Sequence, residues 1–83
     1  MITKTEEWAD FAVKVQEHIR EYVVPQYGDY PDDMIDDWDV KSIKDQLVRY
    51  IARIGVGIRG DEEAKRDALK IAHYACYLYK KLC

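Results

Sequence analysis

Apolar residues recur at steps of three and four along three separate segments of this chain, and this spacing decides the fold class. An α-helix turns once every 3.6 residues, so the spacing places apolar side chains on one face of each segment. No segment alternates with the two-residue period of a strand. The sequence therefore predicts an all-α protein, a compact bundle of three main helices in a single domain over residues 1–83. The three stripes are Trp8, Phe11, Ala12, Val15, Ile19, Tyr22 and Val23; Val40, Ile43, Leu47, Tyr50, Ile51 and Ile54; and Ala64, Ala68, Ile71, Ala75, Leu78 and Leu82.

Capping residues and helix breakers set the expected limits of these helices. Thr3 and Glu6 have the spacing of a capping box, and Asp39 and Asp61 are good N-caps for the later helices. Pro25 is expected to stop the first helix, because the residue before a proline is disfavoured in helical backbone. We therefore predict helix 1 over about residues 5–24, helix 2 over about 40–54 and helix 3 over about 61–82.

A long, acidic and aromatic-rich loop is predicted between helices 1 and 2, over residues 25–38. Gly28 permits a positive φ there, and the Asp pairs favour turns. A loop of this length in so small a domain is usually functional. It predicts an interaction loop that would contact a protein partner through Tyr27, Tyr30, Asp32, Asp33, Asp36, Asp37 and Trp38.

Charge is divided unevenly along the chain. Residues 1–40 carry 3 cations and 11 carboxylates, whereas residues 41–83 carry 10 cations and 5 carboxylates, and the net charge is −3. Such a division can be neutralised within the fold, hold a metal ion, or present a cationic face to phosphate. The sequence leaves these alternatives open.

The basic half of the chain predicts a ligand-binding face. Arg66, Lys70, His73 and Tyr77 share one face of helix 3, and arginine suits phosphate because its guanidinium makes bidentate contacts. The alternative is that these cations form solvated faces paired with the acidic loop. The predicted ligand-binding residues are Gln46, Arg49, Arg53, Arg59, Lys70, His73, Tyr74 and Tyr77.

Two carboxylate pairs at four-residue spacing raise the question of a metal. Facing pairs of this kind could hold Mg²⁺ through oxygen ligands and polarise a nucleoside triphosphate. The alternative is pairing with neighbouring cations on the same helix, and we therefore favour no metal site. The candidates for metal binding are Glu17, Glu21, Glu63 and Asp67.

The sequence identifies no catalytic residues. There is no Cys-x-x-Cys motif, no nucleophile elbow and no phosphate-binding glycine loop. His18 is expected at the rim of the helix 1 stripe, and His73 is expected to be a neutral, hydrogen-bonded histidine on the basic face. Binding is therefore expected rather than turnover, with no certain cofactor apart from Mg²⁺ as an option.

Several properties bear on location and assembly. No apolar stretch approaches the length of a membrane span, and Cys76 and Cys83 are too far apart on one helix to bridge, so a reducing, cytoplasmic location is expected. Cys76 is expected to be buried. The wide apolar face of helix 3 predicts a homo-oligomer. A long nucleic acid is not expected as a partner, because the acidic half repels a polyanion.

A family resemblance runs through roughly residues 25–79. It rests on Tyr27-Gly28-Asp29, on Ser42-Ile43-x-Asp45-x-Leu47-x-Arg49 and Arg53-Ile54, on Asp61-Glu62-Glu63, and on Leu69-x-Ile71-Ala72-His73-Tyr74-Ala75. This order resembles the small helical proteins of phages and prophages called nucleotide modification associated. Those proteins are similar in turn to MazG-type all-α nucleotide pyrophosphohydrolases. The resemblance implies a helical fold and an interest in nucleotides.

The chain departs from that family in its charged positions. Arg66, Lys70 and His73 stand where such families place carboxylates. The two carboxylate pairs of this chain are four residues apart, one residue wider than the pairs of the MazG-type pattern. The leading prediction is a small oligomeric helical domain that binds a nucleotide or another phosphate-bearing ligand. A protein–protein interaction module acting through the acidic loop is the first alternative. An Mg²⁺-dependent nucleotide pyrophosphohydrolase is the second.

Overall fold

Three helices make up most of the described chain and confirm the predicted all-α class. The computed structural model describes residues 2–28, 37–56 and 60–83, and these ranges contain no strand. Helix α1 consists of an α-helix over Lys4–His18, a π-helical segment over Ile19–Val23 and a final α-helical turn over Val24–Tyr27. Helix α2 spans Val40–Arg53 and helix α3 spans Gly60–Leu82.

The predicted caps of α1 and α2 are confirmed. The backbone N–H of Glu6 donates to the Thr3 hydroxyl at 3.2 Å, and the Glu6 carboxylate accepts from the Thr3 backbone N–H at 3.3 Å. Asp39 accepts from the backbone N–H of Ser42 at 2.8 Å, and this hydrogen bond holds the pKa of Asp39 below its usual value. Both caps satisfy N–H groups that a helix leaves unpaired at its start.

Helix α1 does not stop at Pro25, and the prediction that it would is wrong. Proline lacks an N–H, and its ring conflicts with the carbonyl four residues earlier. The π-helical segment lies directly before it, with the N–H of Val24 donating to the carbonyl of Ile19 five residues back. A π-helical turn is wider than an α-helical turn and leaves space for the ring of Pro25, so the helix continues to Tyr27. Gly28 ends it with φ at 85°, the predicted positive value.

Helix α3 begins one residue before the predicted cap. Asp61 therefore lies in the first turn with two glutamates rather than at the N-cap position. The carboxylates still oppose the positive end of the helix dipole. At the other end of α3, Cys76 and Cys83 are both exposed thiols, so the prediction that Cys76 is buried is wrong. Cys76 falls about half a helical turn away from the core-facing residues Asp67 and Leu78.

The helices α2 and α3 form the main packing pair, and α1 lies against α3. Because residues 54–59 alone connect α2 to α3, the two helices run antiparallel. The shared interior is small. Ile43 is the one hydrophobic side chain classed as buried within the described ranges, at 0% exposure. Trp8, assigned to the helix 1 stripe, is 63% exposed, because α1 covers α3 mainly through its later turns.

Two polar side chains join Ile43 in this interior. His18 is 5% exposed and Asp67 is 1% exposed. The prediction that His18 lies at a rim is therefore wrong, because the turn of α1 that carries it is pressed against α3. Burying a titratable group is unfavourable for its charged form, so such groups are unusual in a small core. Their position draws attention to the space beside them.

Candidate functional site

A cleft of about 390 Å³ opens beside these buried groups. It lies between the later turns of α1, Trp38 just before α2, Tyr50 in the last turn of α2, and the middle of α3. Among the described residues, no carboxylate lines it. Its walls are cationic, aromatic and imidazole side chains with one amide and one valine, namely His18, Tyr22, Val23, Gln26, Tyr27, Trp38, Tyr50, Arg66, Lys70, His73, Tyr74 and Tyr77.

The cationic wall consists of Arg66 and Lys70, one turn apart on α3. The Arg66 guanidinium donates from Nη1 to the Glu63 carboxylate at 3.1 Å and from Nη2 to the Tyr22 hydroxyl at 3.4 Å. Lys70 Nζ lies 4.0 Å from the Asp67 carboxylate, beyond hydrogen-bond distance, and 5.5 Å from the centroid of the Tyr50 ring. Both cations therefore retain N–H donors that these contacts do not use.

His18 stands beside this cationic wall as a neutral ring. Burial lowers its pKa, and the positive charges of Lys70 and Arg66 lower it further, against a smaller opposing effect of Glu21. Its Nδ1 is enclosed and has no hydrogen-bond partner among the described residues. A proton on Nδ1 would be a buried donor without an acceptor, which is unfavourable. We therefore assign the ring proton to Nε2.

A chain of aromatic rings also lines the cleft. Trp38 and Tyr74 are stacked, with centroids 6.1 Å apart and planes at 19°. Tyr74 also meets Tyr50 at 5.5 Å and Tyr77 at 5.7 Å, and His73 lies 4.6 Å from Tyr77. Burial and the neighbouring tyrosines raise the pKa of Tyr74, so its phenol stays protonated. Such a wall offers flat faces on which an aromatic ligand can stack.

Half of the predicted ligand-binding residues come together in this cleft. Lys70, His73, Tyr74 and Tyr77 line it. The predicted residues on α2 lie elsewhere, since Gln46, Arg49 and Arg53 are not part of its walls. Arg49 donates to the Gln46 side chain at 3.5 Å, and Arg53 lies 5.8 Å from the centroid of Tyr50. Arg59 lies outside the described residues.

Sequence reasoning missed several wall residues. Arg66 shares the helix 3 face with Lys70 and His73, so its spacing was sufficient to include it. Tyr50 belongs to the apolar stripe of α2, and that pattern favours core packing over ligand contact. Tyr22 likewise belongs to the apolar stripe of helix 1. His18 and Gln26 carry no signal for the cleft in the sequence, because their position depends on how α1 crosses α3.

The predicted interaction loop contributes two side chains to the same cleft. Both Tyr27, which lies in the last turn of α1, and Trp38, the last residue of the predicted loop, line the cleft. Asp37 is exposed. Tyr30, Asp32, Asp33 and Asp36 lie outside the described residues.

Three of the four candidate metal ligands have a cationic neighbour on their own helix. Glu17 lies 3.9 Å from Lys14, Glu63 pairs with Arg66, and Asp67 lies near Lys70. Glu17 and Glu21 face a second, more open cleft of about 450 Å³, on the other side of a partition formed by His18, Tyr22 and Arg66. No group of three or more histidine, cysteine or carboxylate side chains in the described ranges could hold a metal ion.

Comparisons with known proteins found no match, so the function is inferred from the fold and the site. No protein-family model matches the chain, and no curated protein or solved structure shows significant similarity to it. Across residues 2–28, 37–56 and 60–83, no helix has the length and apolar character needed to cross a membrane.

Proposed function

We propose that this protein binds a nucleotide or a closely related phosphate-bearing aromatic ligand in the cleft between α1, α2 and α3. The observation that carries the proposal is the composition of the cleft lining. Arg66 and Lys70 line the cleft together with stacked aromatic rings, and no carboxylate of the described residues lines it. A ligand with an anionic group and a flat ring would match both parts of this lining.

The unused donors of the cationic wall support phosphate as the anionic group. Two of the five N–H groups of Arg66 are engaged by Glu63 and Tyr22, and the ammonium of Lys70 has three donors. Hydrogen bonds from these groups to phosphate are charge-assisted and therefore stronger than neutral ones. The partly enclosed position of Lys70 reduces competition from water.

Binding is favoured over turnover by the same side chains. The families that this sequence resembles carry carboxylates where this chain has Arg66, Lys70 and His73, and two of these three cleft residues are cations. A carboxylate set that holds Mg²⁺ is the usual means of activating a phosphate anhydride. The cleft walls instead match the ligand's charge and shape, so we propose a binding protein.

A nucleotide panel tests this proposal directly. Thermal unfolding would be measured with nucleosides, nucleoside phosphates and inorganic phosphate, each with Mg²⁺ and with EDTA. A ligand that binds the folded state raises the unfolding midpoint. Stabilisation should require both ring and phosphate, and it should be lost in Lys70→Gln but kept in Arg49→Gln, which lies outside the cleft. Absence of stabilisation by every nucleotide would contradict the proposal.

We further propose that the protein is a homodimer, assembled through the exposed apolar side of the α2–α3 pair. Val48 and Ile51 on α2 and Tyr79 and Leu82 on α3 are all exposed. Because the helices are antiparallel, helical geometry places these four side chains on one side and Lys70 on the other. Fully burying one such side chain contributes about 1.5–3 kcal/mol to stability. A domain with so small a core needs such additional burial. The exposed thiols fit the reducing cytoplasm as its location.

A further inference from the structure

The geometry points to a narrower ligand class: we infer that the cleft selects nucleoside monophosphates over nucleoside triphosphates. This inference rests on the proposed nucleotide binding and identifies the ligand of the same site. Three features carry it, namely the number of cations, the neutral histidine beside them, and the short distance from the cations to the aromatic wall.

The charge available to the ligand suits one phosphate group. Arg66 and Lys70 are the cations that line the cleft among the described residues. Each already has a carboxylate neighbour, Glu63 at 3.1 Å and Asp67 at 4.0 Å. A phosphate monoester carries about −1.5 to −2 charges at pH 7. Two cations partly balanced by carboxylates can neutralise one such group, whereas the additional phosphates of a triphosphate would lack partners and be desolvated at a cost.

His18 lines the cleft beside these cations without adding charge. With its enclosed Nδ1 unprotonated, the neutral ring carries its N–H at Nε2 and lies in the wall beside Arg66 and Lys70. A buried nitrogen without a hydrogen-bond partner, such as Nδ1 of His18, lowers the stability of the fold. The burial of His18 therefore points to a functional role. Together the three side chains place polar groups from α1 and α3 in the lining of one cleft.

The distance from the cations to the rings is short. Lys70 Nζ lies 5.5 Å from the Tyr50 centroid, and the Tyr50 ring lies 5.5 Å from Tyr74, which stacks on Trp38. The distance from a nucleotide base stacked on these rings to the cations is therefore about the length of a sugar. The volume of about 390 Å³ is at the lower end of the range for ligand pockets, roughly 300–1,000 Å³. A monophosphate joined directly to the sugar fits these limits better than a triphosphate chain.

Isothermal titration calorimetry in EDTA tests the inference with the intact protein. The monophosphates of adenosine, guanosine, cytidine and uridine identify the preferred base, and the matching nucleoside, diphosphate, triphosphate and ribose 5-phosphate are then compared. We expect the monophosphate to bind at least about 10-fold more tightly than the nucleoside, ribose 5-phosphate or the triphosphate. The nucleoside lacks the phosphate, ribose 5-phosphate lacks the base, and the triphosphate adds phosphate charges that have no cationic partner. A triphosphate that binds as tightly as the monophosphate would overturn the selectivity and leave nucleotide binding intact. No binding by any nucleotide would overturn the proposed function itself.

A matched pair of variants tests the placement of the phosphate. Lys70→Gln should weaken monophosphate binding about 10-fold and leave nucleoside binding unchanged, whereas Arg49→Gln should change neither. Equal weakening of nucleoside and monophosphate by Lys70→Gln would show that the phosphate does not lie at α3. Circular dichroism of each variant confirms that the helices are retained before the titrations are compared.

Discussion

The guanidinium of Arg66 lies 4.9 Å from the centroid of the Tyr22 ring and donates to the hydroxyl of the same tyrosine at 3.4 Å. The contact joins α1 to α3 across 44 residues of chain. It also forms part of the partition between the two clefts, with His18 on the same wall. This pair of side chains thus links α1 to α3 and also shapes the proposed ligand site.

Removing Arg66 should loosen α1 from α3. A cation–π contact contributes about 0.5–1 kcal/mol when exposed and about 2 kcal/mol when desolvated, and Arg66 is partly exposed. We expect Arg66→Ala to lower the free energy of unfolding by about 1 kcal/mol in urea denaturation. Lys65→Ala is the matched control, because Lys65 makes a surface pair with Glu62 and should change stability by less than about 0.5 kcal/mol. Equal effects of the two variants would show that the Tyr22 contact is not stabilising.

The buried His18 should make the protein less stable in mild acid. The pKa of His18 in the folded state is lowered from the ordinary 6.5 by burial and by Lys70 and Arg66, with Glu21 opposing them, while the Tyr22 ring packs on the imidazole. The unfolded chain therefore takes up a proton first as pH falls below about 6.5, and stability decreases until pH reaches the folded-state pKa. Stability from this group is fully present above pH 6.5.

Urea denaturation between pH 5 and pH 8 measures this dependence. In His18→Gln the decrease between about pH 6.5 and 5 should be reduced, since the titrating group is gone. Asp39 is a useful contrast, because its lowered pKa affects stability only at more acidic pH. An unchanged slope in His18→Gln would assign the titration to another group.

Ile43 should be the most sensitive apolar position. It is fully buried, and replacing a buried isoleucine by alanine costs about 2–5 kcal/mol. In a domain with so small a core, Ile43→Ala should leave a large unfolded fraction, visible as reduced helical circular dichroism at 25 °C. Val48→Ala is the control, because Val48 is 64% exposed. Full retention of helix and stability in Ile43→Ala would falsify the proposed position of the core.

Tryptophan fluorescence should report ligand binding through Trp38 alone. The chain has two tryptophans, of which Trp38 stacks on Tyr74 in the cleft wall and Trp8 is exposed far from it. A nucleotide stacked on this wall should quench Trp38. Quenching should therefore persist in Trp8→Phe and disappear in Trp38→Phe. The reverse result would place the ligand near the start of α1.

Charge on the apolar side of the α2–α3 pair should separate the proposed dimer. Introducing a carboxylate into a buried apolar contact is strongly unfavourable. Light scattering of the wild type should give the mass of two chains of 9.8 kDa, and Tyr79→Glu should give the mass of one. Lys80→Glu, next to it and outside the apolar row, should remain dimeric. A monomeric wild type at micromolar concentration would rule the assembly out.

The sequence was sufficient for the local features of the fold. The capping box at Thr3, the N-cap at Asp39 and the positive φ of Gly28 follow from chemistry within a few residues. The end of α1 was not predictable in the same way. The rule that proline stops a helix assumes α-helical geometry, and the π-helical segment before Pro25 removes that assumption.

The cleft depended on tertiary placement. Lys70, His73, Tyr74 and Tyr77 were identified because they share one helix and a regular spacing. Tyr22 and His18 were missed because the crossing of α1 over α3 brings them to the wall, and one helix cannot specify that crossing. Arg49 and Arg53 were included because cations on α2 were assumed to face α3, whereas they lie outside the cleft.

The π-helical turn of α1 also has a consequence for insertions and deletions. A π turn accommodates one residue more than the α-helix it replaces, so removing one residue within Ile19–Val23 should restore an ordinary helix. The helix beyond it would keep its orientation relative to the turn that carries His18, because the π turn already accommodates the additional residue. A deletion in the α-helical part of α1 would instead rotate the residues on its two sides by about 100° relative to each other. The π turn is therefore a place where α1 can lose one residue while Gln26 and Tyr27 still line the cleft.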